Sequence, residues 1–240
     1  MAVAVAVFIV FLLVAVVSDY RPEDCEAVYA YAVDRGDAGL AGDSRQGIRS
    51  GVDSEAVVRL GCDSQGMEDS LGSLQSEAAA KNSVAQITDS LKIVTWNIGY
   101  GGLGSNMDFF YDGGTRIRDT KARTLENLKG ILAEMKALDA DIYLLQEVDE
   151  CSRRTYRINE LAMLQAAFPE YHLYFACNYR SFFVPIPLRS PMGKVSSGVV
   201  ILSRYRAEKV ERLAYPSRFP FPVSLFNLKR CLLAATFRLP

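Results

Sequence analysis

DADIYLLQEVD, residues 139–149, decides how the rest of the chain is read. Ile142 to Leu145 is an apolar strand of the kind buried on both faces. Gln146 and Glu147 follow it directly. A lone carboxylate at the end of such a strand is costly unless it is paired or bound to a metal. Upstream, Lys92 to Ile98 reads as a second strand, rich in β-branched residues and containing Trp96, with Asn97 near its end. The Asn97 amide is able both to donate and to accept, toward a phosphate, a ligand or a metal-bound water. Taken alone, Asn97 is a turn residue before Gly99, and Glu147 is a surface or capping acid beside Asp149 and Glu150. What raises them together is order: two strand ends separated by one amphipathic helix. Magnesium suits such a sparse pair, because it takes hard oxygen ligands, one or two carboxylates, and keeps several waters.

The elements around this pair follow from periodicity. Leu125, Leu128, Ile131, Leu132 and Met135 recur at helical spacing within 120–137. A further helix covers Asn159 to Ala167 and stops at Pro169. Strands are expected near Tyr171–Ala176, Gly198–Ser203, Ala207–Ala214 and Arg230–Arg238. Strand, helix, strand, helix, then several strands indicates an α/β layered fold.

The chain has 240 residues and a formal net charge of −1. That balance hides an asymmetry. Residues 19–90 hold 14 acidic and 6 basic side chains, whereas 91–240 hold 14 acidic and 21 basic. A basic half suits a phosphate-bearing partner, nucleic acid or phospholipid, or an anionic membrane surface; a solvated basic face is the plainer reading. The five cysteines form no Cys-x-x-Cys spacing, which argues against a zinc site.

Three segments result. Residues 1–18 contain an unbroken apolar run, Ala2 to Val17, short for a spanning helix and long for the core of an export signal. They read as a signal peptide or a membrane anchor, and the chain as exported or membrane-anchored; a buried core element is the competing reading. Residues 19–90 read as a flexible acidic linker with short helices near Ser54–Leu60 and Leu74–Val84, because no aromatic residue occurs from Ala32 to Thr95. Residues 91–240 form the folded part.

Here LKIVTWNIG (91–99), DADIYLLQEVD and SSGVVILSR (196–204) together resemble the first half of the endonuclease/exonuclease/phosphatase superfamily, whose fold is shared with deoxyribonuclease I. The resemblance implies an α/β fold: the first half of a deoxyribonuclease I-like layered sandwich, truncated at its C-terminal side. It also implies a magnesium-dependent phosphoesterase or phosphodiesterase, with Asn97 and Glu147 holding the divalent metal. Arg154 and Asn178, in ACNYRS (176–181), resemble positions on the substrate side; a surface arginine between Arg153 and Arg157 is the plainer reading of the first.

The departure is equally specific. The family's later motifs are a strand bearing a catalytic His, a Gly-Asp-x-Asn segment and a Ser-Asp-His segment, and the sequence contains none of them. Its one histidine, His172 in PEYHLYF, precedes SSGVVILSR and reads as a half-buried strand residue. Two expectations stand. One is a phosphoesterase with little activity by itself; the other is a non-catalytic product or binding module. GYGGLGSN (99–106) lacks the Gly-Lys-Ser/Thr ending of a P-loop and the strand–loop–helix spacing of a dinucleotide site. FFVPIPLRSPMG (182–193) reads as a packed surface loop, with a lipid or substrate neighbour as the alternative.

Overall fold

The computed structural model describes residues 2–31, 90–216 and 219–238. The helices expected near Ser54–Leu60 and Leu74–Val84 lie outside them. In chain order the elements are α1 (Ala2–Val17), β1 (Cys25–Ala27), β2 (Ile93–Asn97), α2 (Lys121–Leu138), β3 (Ile142–Asp149), α3 (Glu160–Ala167), β4 (His172–Val184), β5 (Gly193–Ser203), β6 (Ala207–Ala214) and β7 (Cys231–Phe237).

The strands form two sheets, ordered β2-β3-β5-β4 and β1-β6-β7. β2 and β3 run parallel, with Asn97 opposite Gln146, while β5 is antiparallel to both β3 and β4. The parallel pair needs a crossover, and α2 supplies it. Thr120 caps α2 by accepting from the Arg123 N–H, and Asn159 caps α3 by accepting from the Ala162 N–H. Thr124, Leu128, Leu132 and Met135 turn one face of α2 inward, at the spacing a helix requires.

The larger sheet has a core on each face. Toward the helices, Tyr143, Leu145 and Val148 pack with Leu128, Met135 and Leu161. Toward the smaller sheet, Ile142, Tyr174 and Ile201 pack with Val210, and Leu233 and Phe237 of β7 close over them. Continuous apolar sequence in β3 therefore reflects burial on both faces, as expected. β4 and β5 extend further than their apolar cores alone suggest, because they pair as a long hairpin from His172–Ser203 out to Val184–Gly193.

Residues 19–31, expected as the start of a linker, are built into the sandwich instead. Cys25 to Ala27 pair with Leu213 to Glu211 of β6. A few residues on, the Tyr31 N–H donates to Leu173 O of β4 at 2.7 Å. Backbone pairing of this kind needs no apolar run, which is why composition does not reveal it. Cys25, Cys177 and Cys231 are free thiols, and Cys151 is disulfide-bonded. No helix among the described residues is long and apolar enough to cross a membrane.

Candidate functional site

The two expected strand ends meet. Asn97 Nδ2 donates to Glu147 Oε1 at 3.0 Å, and Asn97 Oδ1 accepts from the Gly99 N–H at 3.0 Å. The amide is thus fixed from one side by the loop after β2 while it braces the carboxylate on β3. Glu147 is half-buried, Asn97 is exposed, and the pair lies at an open edge. A cleft of about 420 Å³ lies elsewhere, between Pro22, Tyr215 and Lys229.

Glu147 stands in a backbone conformation that its side chain disfavours. Its φ is +55°, in the left-handed region. The cause is a β-bulge: Leu145 pairs with Val200 and Val148 with Gly198, so Gln146 and Glu147 share the single residue Val199. The extra residue resets the alternation, which keeps Val148 in the helix-side core with Leu145 and Tyr143. Such a conformation persists only where the surrounding structure holds it, and here the flanking ladder pairs do so.

A buried polar network lies behind Glu147. Asp149 is fully buried and receives both arms of Arg154, Nε at 3.0 Å and Nη2 at 2.8 Å. Arg154 also donates to Ser197 Oγ at 3.2 Å, and its guanidinium lies 3.7 Å from the centre of the Tyr100 ring. The Thr155 hydroxyl donates to the same carboxylate, and the Asp149 N–H donates to Glu160 Oε2 at 2.7 Å. Burial, then the charge of Asp149, holds the Glu160 carboxyl well above the usual carboxylate range. Burial pushes the Tyr100 hydroxyl up as well, against the opposing pull of Arg154. Arg154 is therefore 7% exposed and committed to a bidentate pair, where sequence suggested a substrate-facing side chain. The signal for the pair is present in EVDECSRRT (147–155), but it looks like a solvated polar run.

Asn178 sits in a second irregularity. Cys177 pairs with Gly198 and Tyr179 with Ser197, leaving Asn178 as an extra residue on β4. The two bulges thus flank the same stretch of β5. Gly198 is required there: a Cβ would lie 2.1 Å from Ala176 O of the adjacent strand. His172 opens β4 opposite Ser203, at the other end of that pairing; burial and Arg206 hold its imidazole below the usual range.

The hydrogen bond to the Glu147 carboxyl among the described residues comes from Asn97, to Oε1. Among the described residues, no group of three or more His, Cys, Asp or Glu is placed to hold a metal ion.

The chain belongs to the endonuclease/exonuclease/phosphatase family, whose model matches residues 94–232. No curated protein matches it. Among solved structures, it is similar to an endonuclease/exonuclease/phosphatase from Beutenbergia cavernae DSM 12333, at 21% identity and a TM-score of 0.42, covering 62% of this chain and 35% of that one. It is also similar to an endonuclease/exonuclease/phosphatase family protein from Leptotrichia buccalis C-1013-b, at 12% identity and a TM-score of 0.32, covering 63% of this chain and 55% of that one. The chain thus spans about a third of the first and about half of the second.

Proposed function

We propose that this chain carries one side of a magnesium-dependent phosphoesterase site, with Glu147 as the metal's carboxylate ligand and Asn97 as the residue that holds it. The observation that supports the reading most directly is the 3.0 Å bond between Asn97 and the strained, bulged Glu147. When bound, the metal supplies positive charge for a phosphoryl oxygen and a leaving oxygen. The residues of the chain do the positioning. Gly99 orients Asn97, Asn97 orients Glu147, and Asp149, Arg154 and Tyr100 hold the buried side of the same strand end. Asn178, on the neighbouring bulge, is proposed for the substrate side. Arg154 supports that side through Asp149 and Ser197.

General-base help is worth about 10²–10⁴ in rate. The sequence has one histidine, His172, and it opens β4 while Asn178 lies at the middle of that strand. Turnover by residues 1–240 is therefore proposed to be close to the uncatalysed background. The test is hydrolysis of an activated phosphodiester by the purified chain with and without millimolar magnesium. Background rates are expected for the parent and for Glu147→Ala alike. Robust magnesium-dependent turnover, abolished by Glu147→Ala, would overturn the proposed weakness while leaving the site intact. Nucleic acid and phospholipid are both compatible with the basic folded half. A non-catalytic binding module is the alternative, and indifference to magnesium is what it requires.

A further inference from the structure

Apolar side chains from three separate elements converge on Phe11. Its ring stacks on Phe226 at 5.7 Å and also lies against Phe182 at 5.6 Å and Phe183 at 6.1 Å. Phe182 and Phe183 stand just before the tip of the β4–β5 hairpin, residues 185–192. Phe226 closes a short 3-10 turn, Val223–Phe226, in the β6–β7 connection. Ala15, one turn along α1, is buried. So α1, the hairpin tip and the connection form one surface.

That surface is apolar on its outer side. α1 turns Phe8, Val10 and Val14 to solvent, the tip exposes Leu188 at 88%, and the connection exposes Phe221 at 67%. α1 contains no polar residue in its 16 positions, so it has no solvated face. A helix apolar all round requires cover on every side. An exposed patch of this kind marks an interaction site.

Charge identifies the cover. No Asp or Glu occurs from Tyr171 to Ala207, nor from Arg212 to Pro240, the two stretches that supply the tip and the connection. Arg189 stands in the tip, Lys194 follows it and Arg230 ends the connection, all exposed. Asp19, just past α1, is already paired with Lys229 at 3.2 Å and Arg21 at 3.5 Å. A second copy of the chain would bring like charge onto like. A bilayer with anionic lipid offers apolar cover and the opposite charge together.

We propose that α1, the β4–β5 tip and the β6–β7 connection form one docking surface for an anionic lipid bilayer, with α1 lying along the membrane rather than across it. Sixteen residues make a helix of about 24 Å, shorter than the ~30 Å hydrocarbon core. β4 and β5 carry the tip beyond the level of Asn178, past the ends of β2 and β3, which bear Asn97 and Glu147. The proposal does not depend on phosphoesterase activity.

The test is flotation of the full chain with phosphatidylcholine vesicles, with and without phosphatidylserine. The parent is expected to float with the phosphatidylserine vesicles and to be released in part by salt. Leu188→Asp combined with Phe221→Asp should cut the bound fraction at least ~10-fold while leaving the circular dichroism and melting curve unchanged, since both side chains are exposed. A parent that floats with neither vesicle overturns the proposal, as does a double variant that floats like the parent. A stable dimer in sedimentation, dissolved by the same double variant, would make a second copy the occupant instead. An exported form whose N-terminus begins beyond Val17 would overturn the role given to α1.

Discussion

Glu147 joins two properties that rarely coincide: a left-handed backbone and a charged side chain at a strand end. A non-glycine residue held there costs about 1–3 kcal/mol. Glu147→Gly should therefore melt no lower than the parent, and higher than Glu147→Ala, although it removes the carboxylate. An Ala variant that outlasts the Gly variant would show that the backbone is not strained. Gly198 carries the opposite expectation. A Cβ at 2.1 Å from Ala176 O forces the β4–β5 backbones apart, so Gly198→Ala should cost at least about 1–3 kcal/mol in denaturant unfolding. An unchanged midpoint would refute the close approach. Glu160 adds a pH signature. Its folded-state pKa is raised, so its contribution to stability is full below the unfolded carboxylate range and is lost as pH rises toward the folded value. Melting temperatures of Glu160→Gln and the parent should diverge in the variant's favour from about pH 4 upward. Parallel curves across that range would contradict the assignment.

At the level of elements, most strands and helices are legible because burial writes a period into sequence. α2 announces itself through Leu128, Leu132 and Met135, and β3 through Ile142 to Leu145. The bulge does not announce itself. Gln146 and Glu147 look like ordinary alternation, and only the pairing with Val199 shows that one residue is extra. β1 is equally silent, since Cys25–Ala27 owes its place to backbone pairing with β6. Asn97 and Glu147 could be found as polar ends of apolar strands, but the Asp149–Arg154–Glu160 network could not. Its members are ordinary surface residues until the turn after β3 folds them inward. Breaking that network from one side leaves a buried charge unpaired, so Arg154→Ala should cost about 3–5 kcal/mol. Equilibrium urea unfolding measures this, and a loss under about 1 kcal/mol would mark the pair as solvated in practice.

For the molecule as a whole, residues 25–31 act as a strap. They pair with β6 in one sheet and with β4 in the other, and Tyr31 packs on the helix-side core. Removing residues 19–31 from a chain that begins at residue 19 should cost about 2–3 kcal/mol, the burial of one large side chain. A melting temperature unaffected by that truncation would restore the linker reading of the segment. The sandwich so held presents Asn97 and Glu147 together, and their joint hold on a cation is the central claim. Titration of the full chain with magnesium, followed through the side-chain amide resonances of Asn97, tests it most directly. A saturable shift in the parent that vanishes in Glu147→Gln is the predicted result. An Asn97 signal that ignores magnesium, or one that moves equally in Glu147→Gln, would contradict it.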